Sequence, residues 1–245
     1  MSGTPFTIKP FGQTALLLEW PKRVEVDILM DILGFREYLL KHHLLGPDWE
    51  LTPVYHSLTL INRSDPAAIR AIIELLPKWY SSLPAHHSPE TQYWELPVCY
   101  EAALAPDLIE VSEKLGMDPQ EVIEAHTGQP YRVYGIGFLP GFLYLGGVPE
   151  VLKLERRAEP RLHVDKGSVG LAGAQTGIYP QVSPGGWHII GSCPVPLFTP
   201  DKTPPCVVAP GDQVRFRAVE RAEYDLHKLE SEIGIYNYKT GHSSA

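Results

Sequence analysis

The side chains best suited to binding a small molecule are concentrated in one stretch of the chain, residues 134–198. Three arginines lie there, and planar guanidinium groups bind carboxylate or phosphate through paired hydrogen bonds. Amide, hydroxyl and aromatic side chains lie there too, and these can orient a small amide or carboxylate and shield it from water. The candidate binding residues are Arg156, Arg161, Gln175, Thr176, Tyr179, Ser183, Phe138, Tyr144 and Trp187. This combination predicts a pocket with an anion-binding wall.

Glycine is enriched in the same stretch. Of the 21 glycines in the chain, 12 lie between Gly135 and Gly191, where an even distribution would place roughly 5. Glycine permits positive φ and close approach of the backbone, at a cost of roughly 0.5–1 kcal/mol for each residue inside regular structure. The enrichment therefore predicts tight turns or close contact with a ligand.

Each group of candidates also has a purely structural explanation. Arginines are usually solvent-exposed, polar side chains in loops often satisfy backbone groups, and aromatic side chains commonly fill the core. His126 lies at the predicted end of a helix, where a charged ring would interact favourably with the helix dipole. His188 could fill a strand face or titrate.

The three arginines differ in their predicted roles. Successive side chains of an extended segment project to opposite faces. We therefore expect Arg157 to point elsewhere or to pair with an acid such as Glu155 or Glu159. Arg156 and Arg161 are expected to share one anion-binding surface, which requires a turn or bulge between them.

Sequence patterns of several common catalytic sites are absent. The chain has no G-x-x-x-x-G-K-[ST] phosphate loop, no G-x-S-x-G nucleophile elbow and no paired-histidine metal motif. The cysteines Cys99, Cys193 and Cys206 are far apart and form no disulfide or zinc pattern. We expect no metal site and leave the catalytic residue unassigned.

Charge and hydropathy restrict the class of partner. The chain has 21 Lys and Arg against 29 Asp and Glu, a net charge of -8, with no long basic run to bind nucleic acid. The uncharged, apolar run at residues 133–148 is shorter than the ~20 residues that span a bilayer, and the N-terminus lacks a signal-peptide pattern. We expect a cytoplasmic protein that binds a small molecule or another protein.

Hydrophobic periodicity in the first part of the chain predicts a small α+β layer. A hairpin is followed by a long amphipathic helix, by a strand with Leu58 and Leu60 inward, and by a second helix capped at Asp65 that stops by Pro77. The hairpin strands lie at residues 6–8 and 14–20, the long helix at 26–43 and the later strand at 55–62. Residues 81–92 are the predicted linker.

The second part of the chain predicts a β-barrel or sandwich. Two short helices are expected at residues 106–116 and 119–128, the second with a capping box between Asp118 and Glu121. Short β-like runs follow at residues 131–134, 168–173, 187–191, 206–209 and 213–218. A closing helix over 220–233 should turn Tyr224, Leu229 and Ile233 inward. The last ten residues, 236–245, are expected to be disordered.

Four sequence blocks together resemble one protein family. They are GFLPGFLYLGG (137–147), RRAEPR (156–161), GSVGLAGAQTGIYP (167–180) and SPGGWHIIG (183–191). In order and spacing they resemble the family of the 5-oxoprolinase B subunit, also called allophanate hydrolase subunit 1 or the KipI type. The chain departs from the family pattern at residues 164–167, where Val-Pro-Ala-Gly is usual, and at 191–194, where Gly-Arg-Thr-Pro is usual.

The resemblance implies a fold of the α+β class. A small α/β domain of ferredoxin-like type over residues 1–85 would precede a cyclophilin-like β-barrel over 93–235. It also implies that the chain is the B component of a complex with a related cyclophilin-like C subunit and a third protein, the A subunit. That complex would hydrolyse 5-oxo-L-proline to L-glutamate with ATP. The family also includes a histidine kinase inhibitor and carboxyltransferase-type subunits of urea metabolism, which are the alternative functions.

The resemblance also suggests roles for the candidate residues. ATP would phosphorylate the lactam carbonyl oxygen, and donors and cations would stabilise the developing charge. The anion would be held by Arg156 and Arg161, the lactam oriented by Gln175, Thr176 and Tyr179, and water excluded by Phe138, Tyr144 and Trp187. Because a phosphate loop is missing, we expect a partner to complete the ATP site and this chain to be inactive alone. We also expect the barrel to expose an apolar, glycine-rimmed face to that partner.

Overall fold

The computed structural model describes residues 4–84 and 89–242. The chain forms two compact units, which divide between Glu90 and Thr91. Part of the predicted linker, residues 85–88, lies outside the described residues. None of the described helices has both the length and the apolar character needed to cross a membrane.

The first unit is a four-stranded antiparallel sheet with helices. Its strands are β1 (Thr7–Pro10), β2 (Ala15–Glu19), β3 (Trp49–Val54) and β4 (Ser57–Asn62), in the order β1-β2-β4-β3. Its helices are α1 (Val26–Lys41), α2 (Pro66–Ile72) and α3 (Leu76–Ser81). A ferredoxin-like domain has the element order βαββαβ. Moving its last strand to the front gives the order ββαββα found before α3, so the unit corresponds to a circular permutation of that arrangement.

Alternation along the strands places the core of the first unit on one face of the sheet. Leu58 and Leu60 are fully buried, as predicted, and pack in the same cluster as Ile32 and Phe35 of α1. The sequence did not predict β3, where Pro53 interrupts the β-like pattern. Tyr55, at φ +54, lies in the turn that pairs β3 with β4.

The second unit contains most of the strands. They are β5 (Gln92–Val98), β6 (Pro130–Ile136), β7 (Leu143–Gly146), β8 (Arg161–Val164), β9 (Ser168–Ala172), β10 (Gln175–Ile178), β11 (Ser183–Gly185), β12 (His188–Ser192), β13 (Gln213–Ala218) and β14 (Lys239–His242). Its helices are α4 (Leu108–Leu115), α5 (Pro119–Thr127) and α6 (Arg221–Glu232). Four of the five predicted runs match strands, whereas residues 206–209 supply only an isolated bridge from Cys206 to Phe198.

Eight strands of this unit form one curled sheet in the order β12-β9-β10-β7-β6-β13-β5-β14. Cys99, directly after β5, pairs with Ser192 of β12 through two backbone hydrogen bonds of 2.9 Å. The sheet therefore curls until its first and penultimate strands meet, which closes the barrel. A separate ribbon, β8 with β11, carries part of the glycine-rich stretch. The α+β fold class with a barrel in the second unit is as predicted.

The helices of the second unit match the predicted positions, but α6 does not face as predicted. The capping box of α5 is formed, with the Asp118 amide donating to Glu121 at 2.7 Å. Tyr224 is buried, whereas the side chains of Leu229 and Ile233 are 55% and 62% exposed. The prediction that these two residues face inward is wrong, because α6 turns a polar face towards the barrel.

The expected disorder at the end of the chain is wrong for residues 239–242. These residues form β14, which pairs antiparallel with β5 from Gln92 to Glu95. Tyr238 packs edge-on against Trp94 with ring centroids 5.9 Å apart, and its hydroxyl donates to the Pro196 carbonyl. The aromatic contact and the added strand hold this segment on the barrel.

The closure of the barrel generates a stability prediction. A Cβ at Gly191 would lie 2.7 Å from Val98 Cγ1 and 3.1 Å from the Cys99 carbonyl oxygen, so Gly191→Ala must push the closing strands apart. We expect a loss of about 1–3 kcal/mol in the free energy of unfolding, measured by urea titration. The control is Gly186→Ala, whose Cβ would meet Pro160 at an ordinary 3.7 Å. Equal stability of the two variants would contradict the role of Gly191 in closure.

Candidate functional site

Five of the nine predicted binding residues line one cavity in the second unit. Its volume is about 280 Å³. The lining residues are Phe138, Phe142, Tyr144, Arg156, Pro160, Tyr179, Pro184, Gly185, Gly186 and Trp187. We call this cavity the aromatic pocket. Arg161, Gln175, Thr176 and Ser183 are not among its lining residues.

Phe142 organises the walls of the aromatic pocket. Its buried ring makes edge-to-face contacts with Tyr144, Tyr179 and Trp187, at centroid distances of 5.1, 5.3 and 5.3 Å. Phe138 packs against the same ring at 5.8 Å but is 64% exposed. Contacts of this geometry fix ring orientations, so the pocket has a rigid aromatic floor and an exposed apolar edge.

Glycine lets the backbone approach the pocket closely. A Cβ at Gly185 would lie 2.8 Å from ring atoms of Tyr179, so only glycine fits between β11 and that ring. At the other side, Phe138 adopts φ +64, a conformation that is uncommon for an aromatic residue.

Arg156 supplies the cation of the aromatic pocket. Its Cζ atom lies 5.9 Å from the centroid of the Trp187 ring, within cation–π range. Among the described residues, Arg156 has no hydrogen-bond or ion-pair partner. Its guanidinium donors are therefore available to an anionic ligand at the pocket.

Arg157 and Arg161 bind one buried carboxylate instead. Arg161 forms a two-pronged pair with Asp107, with one bond at 2.7 Å, and Arg157 reaches Asp107 at 3.2 Å and Glu110 at 3.1 Å. The bond to Asp107 raises the pKa of Arg161. The predicted grouping of Arg156 with Arg161 is wrong, because Arg161 is paired with the buried Asp107 and does not line the aromatic pocket with Arg156.

We call the group formed by Asp107, Glu110, Arg157 and Arg161 the Asp107 cluster. It connects several elements of the second unit. The Asp107 carboxylate accepts the Ile189 backbone amide at 2.6 Å, and the Asp107 amide donates to the Ile189 carbonyl at 2.9 Å. The buried charge is thus satisfied by two guanidinium groups and one amide. Sequence reasoning expected local acids as the partners of Arg157, and no sequence signal linked Asp107 to residues 50 and 54 positions away.

Thr176 lies inside the barrel rather than at the pocket. Its hydroxyl donates to the Gly170 carbonyl at 3.0 Å and contacts Nε2 of His126 at 3.0 Å, while Nδ1 of His126 lies 2.7 Å from the Tyr100 hydroxyl. Because the single Thr176 proton is used on Gly170, Nε2 of His126 donates to Thr176 and Nδ1 accepts from Tyr100. All three hydrogen bonds are therefore donated in the same direction, from Tyr100 through His126 and Thr176 to the Gly170 carbonyl.

Burial keeps His126 neutral. The ring stacks on Phe216 with centroids 4.6 Å apart, and burial lowers the pKa of His126 from 6.5 to about 3. The interpretation that a charged His126 favours the helix dipole is therefore wrong. His188 is also buried, and its pKa is lowered, chiefly by desolvation.

The remaining two candidates have backbone surroundings. Gln175 begins β10 and pairs with Gly146 and Ala172 in the sheet. The buried Ser183 hydroxyl donates to the Pro184 carbonyl at 3.1 Å. A binding role for either residue stays a prediction.

The aromatic pocket can bind and orient a ligand but offers no base. Its lining contains no Asp, Glu, His or Cys among the described residues. Burial raises the pKa of Tyr144 and of Tyr179, so both phenols stay protonated and can act as hydrogen-bond donors. Within the described residues, no group of three or more His, Cys, Asp or Glu side chains could hold a metal ion.

Comparison with known proteins places this fold and sequence in a family. The family model described as carboxyltransferase domain, subdomain C and D, matches residues 6–208. Urea carboxylase from Kluyveromyces lactis matches 97% of this chain and 24% of its own, with TM-score 0.77 and 16% identity, which shows the shared fold. The crystal structure of TTHA0988 in space group P212121 matches 84% of this chain with TM-score 0.73 and 33% identity, but this chain spans only 40% of it.

Two proteins of similar sequence identify the family more specifically than the domain match does. A protein from Escherichia coli O157:H7 is 43% identical over 84% of this chain and 92% of its own length. A protein from Bacillus subtilis (strain 168) is 44% identical over 92% of this chain and 98% of its own length. Both are named as the B subunit of 5-oxoprolinase. The chain belongs to the family of 5-oxoprolinase B subunits.

The Asp107 cluster generates a prediction on stability. Arg161→Gln leaves Asp107 with Arg157 and the Ile189 amide, and removes the two-pronged pair. We expect a loss of about 1–3 kcal/mol in unfolding free energy by urea titration. The matched control is Arg156→Gln, which should change it by less than about 0.5 kcal/mol because Arg156 is exposed. A larger loss from Arg156→Gln would contradict this assignment.

His126 generates a prediction on pH dependence. Because its pKa is lowered on folding, the unfolded chain binds an extra proton between pH 6.5 and about 3, so stability is full above 6.5 and falls as the pH drops. Between pH 6.5 and 4.5 this residue should account for a loss of about 2–3 kcal/mol. The loss should be reduced in His126→Gln and kept in a His42→Gln control. Parallel stability–pH curves for the wild type and His126→Gln would disprove the neutral, buried state.

Proposed function

We propose that this chain is the B subunit of an ATP-dependent 5-oxoprolinase complex, which hydrolyses 5-oxo-L-proline to L-glutamate. The observation that carries this proposal is the 43% and 44% identity to two proteins of that name over nearly their full lengths. The free, unpaired state of Cys99, Cys193 and Cys206 supports a cytoplasmic location.

The aromatic pocket suits the ligand of such an enzyme. The substrate is a compact five-membered ring that carries one carboxylate and one lactam carbonyl. An aromatic floor of Phe142 and Trp187 can accept the flat face of the ring, and Arg156 can bind the carboxylate. A volume of about 280 Å³ is close to the lower end of small-molecule sites. The phenols of Tyr144 and Tyr179 are the donors available to the carbonyl oxygen.

The lining of the aromatic pocket also bears on which proteins of the proposed complex supply the reacting groups. Opening a lactam needs a base or nucleophile, and the described lining of the aromatic pocket has neither. Phenols with raised pKa values donate hydrogen bonds but do not remove protons near neutral pH. In this proposal the chain binds and orients the substrate, and the reacting groups come from the A and C subunits. The chain alone is then inactive.

The aromatic pocket does not fit ATP. A triphosphate carries several negative charges, whereas Arg156 is the only cation that lines the pocket among the described residues. The sequence also lacks a phosphate loop. We therefore propose that another protein of the complex holds the nucleotide.

Reconstitution tests the proposed function. The chain is purified alone and together with the A and C subunits, and glutamate release from 5-oxo-L-proline is measured with and without ATP. We expect activity only in the complete, ATP-supplied mixture, because the aromatic pocket lacks a base. Full activity of this chain alone, or no activity of the complete mixture, would refute the proposal.

Arg156 tests the role of the aromatic pocket within that complex. Arg156→Gln removes the guanidinium proposed to bind the substrate carboxylate, and we expect KM for 5-oxo-L-proline to rise by about tenfold or more. The control is Arg63→Gln, which removes an exposed ion pair to Glu50 in the first unit and should leave KM unchanged. An unchanged KM for Arg156→Gln would remove the carboxylate from this site.

A further inference from the structure

A second cavity of the same unit lies between the barrel and helix α6. Its volume is about 300 Å³. The lining residues are Lys166, Gly167, Ile178, Tyr179, Pro180, Cys193, Pro194, Val195, Pro196, Leu197, Tyr224, Lys228, Ser231 and Glu232. We call it the helix cavity. It includes both segments that depart from the family pattern, around Lys166 and Cys193.

Helix α6 turns its polar side towards this cavity. Tyr224, Lys228, Ser231 and Glu232 are spaced at i, i+4, i+7 and i+8, which places them on one face of the helix. Helices on a barrel normally pack an apolar stripe against the core, whereas Leu229 of α6 faces solvent. This inverted orientation places one ammonium, two hydroxyls and one carboxylate at the cavity.

A second ammonium comes from the barrel side. Lys166 lies in a turn that two backbone hydrogen bonds fix, from the Gly167 amide to the Tyr179 carbonyl at 2.7 Å and from the Cys193 amide to the Gly167 carbonyl at 2.8 Å. Among the described residues, neither Lys166 nor Lys228 has a hydrogen-bond or ion-pair partner. Two uncompensated cations therefore border one cavity, together with one unpaired carboxylate, Glu232.

The remaining lining is apolar and unreactive. Ile178, Val195 and Leu197 form part of an aliphatic wall. Burial raises the pKa of Cys193 to about 12, so its thiol stays protonated and is not a nucleophile. The helix cavity is suited to binding and not to covalent chemistry.

We propose that the helix cavity binds a dicarboxylic amino acid. Two cations and one anion at the cavity complement a ligand with two carboxylates and one ammonium. The carboxylates would bind Lys166 and Lys228, the ligand ammonium would bind Glu232, and the aliphatic stem would contact the apolar wall. Tyr179 lines both this cavity and the aromatic pocket, so the two sites share a wall. The inference goes beyond the proposed function and does not depend on it.

Calorimetric titration of the full chain, without the other proteins of the complex, tests this inference with L-glutamate as the probe. We expect saturable binding that weakens as ionic strength rises. Lys228→Gln and Lys166→Gln should each weaken binding by about five- to tenfold through loss of a charge-assisted contact. Lys202→Gln, an exposed lysine outside the lining, should bind as the wild type does.

Two further comparisons assign the ligand groups and the cavity. Glutarate lacks the ammonium and should bind more weakly than L-glutamate, and Glu232→Gln should remove that difference. 5-Oxo-L-proline, the proposed ligand of the aromatic pocket, should not displace L-glutamate from the helix cavity. The inference is overturned by an absence of saturation at millimolar L-glutamate, by wild-type affinity in both lysine variants, or by competitive displacement of L-glutamate by 5-oxo-L-proline. Each of these outcomes leaves the reconstitution assay of the proposed function unaffected.

Discussion

The arrangement of the aromatic pocket depends on the buried carboxylate of Asp107. A carboxylate without solvent must be compensated, and here two arginines and a backbone amide do so. Both arginines come from the segment that also carries Arg156, so satisfying Asp107 fixes that segment against helix α4 and strand β12. Because neighbouring side chains alternate in direction, holding Arg157 inward turns Arg156 outward over Trp187. The position of the Arg156 guanidinium thus follows from the pairing of the buried Asp107 carboxylate, which does not line the aromatic pocket.

The aromatic pocket provides groups that can bind a ligand but no group that could carry out the proposed hydrolysis. An aromatic floor, one free guanidinium and two protonated phenols can recognise and orient a small cyclic carboxylate. They cannot take a proton from water or carry a phosphoryl group. In the function proposed above, the chain contributes binding energy and orientation, which are large parts of catalysis, and other chains supply the reacting groups. The name that its relatives share, with the word subunit in it, is consistent with that proposal.

Local patterns predicted the features that neighbouring residues determine. The Asp118–Glu121 capping box and the inward leucines of β4 follow from spacing along one element, and both are present. Long-range pairing was not predictable in the same way. Nothing near Arg161 in the sequence indicates Asp107, so the arginines were grouped wrongly. The predicted orientation of α6 was also wrong: Leu229 and Ile233 stay exposed, and the helix turns Lys228, Ser231 and Glu232 to the helix cavity beside Tyr224. Thr176 looked like a ligand contact because a glycine-rich surrounding does not distinguish a pocket from a barrel interior.

The hydrogen-bond chain from Tyr100 through His126 and Thr176 to Gly170 has a consequence for how the family can vary. Tyr100 begins the chain as a donor, His126 and Thr176 each accept one hydrogen bond and donate one, and the last acceptor is a main-chain carbonyl that no side-chain substitution removes. A change at one position strands a donor or an acceptor at the next, in a place that water does not reach. We therefore expect Tyr100, His126 and Thr176 to be substituted together among relatives. An apolar set would then replace the polar set in the barrel interior, because replacing one residue alone leaves a buried donor or acceptor without a partner.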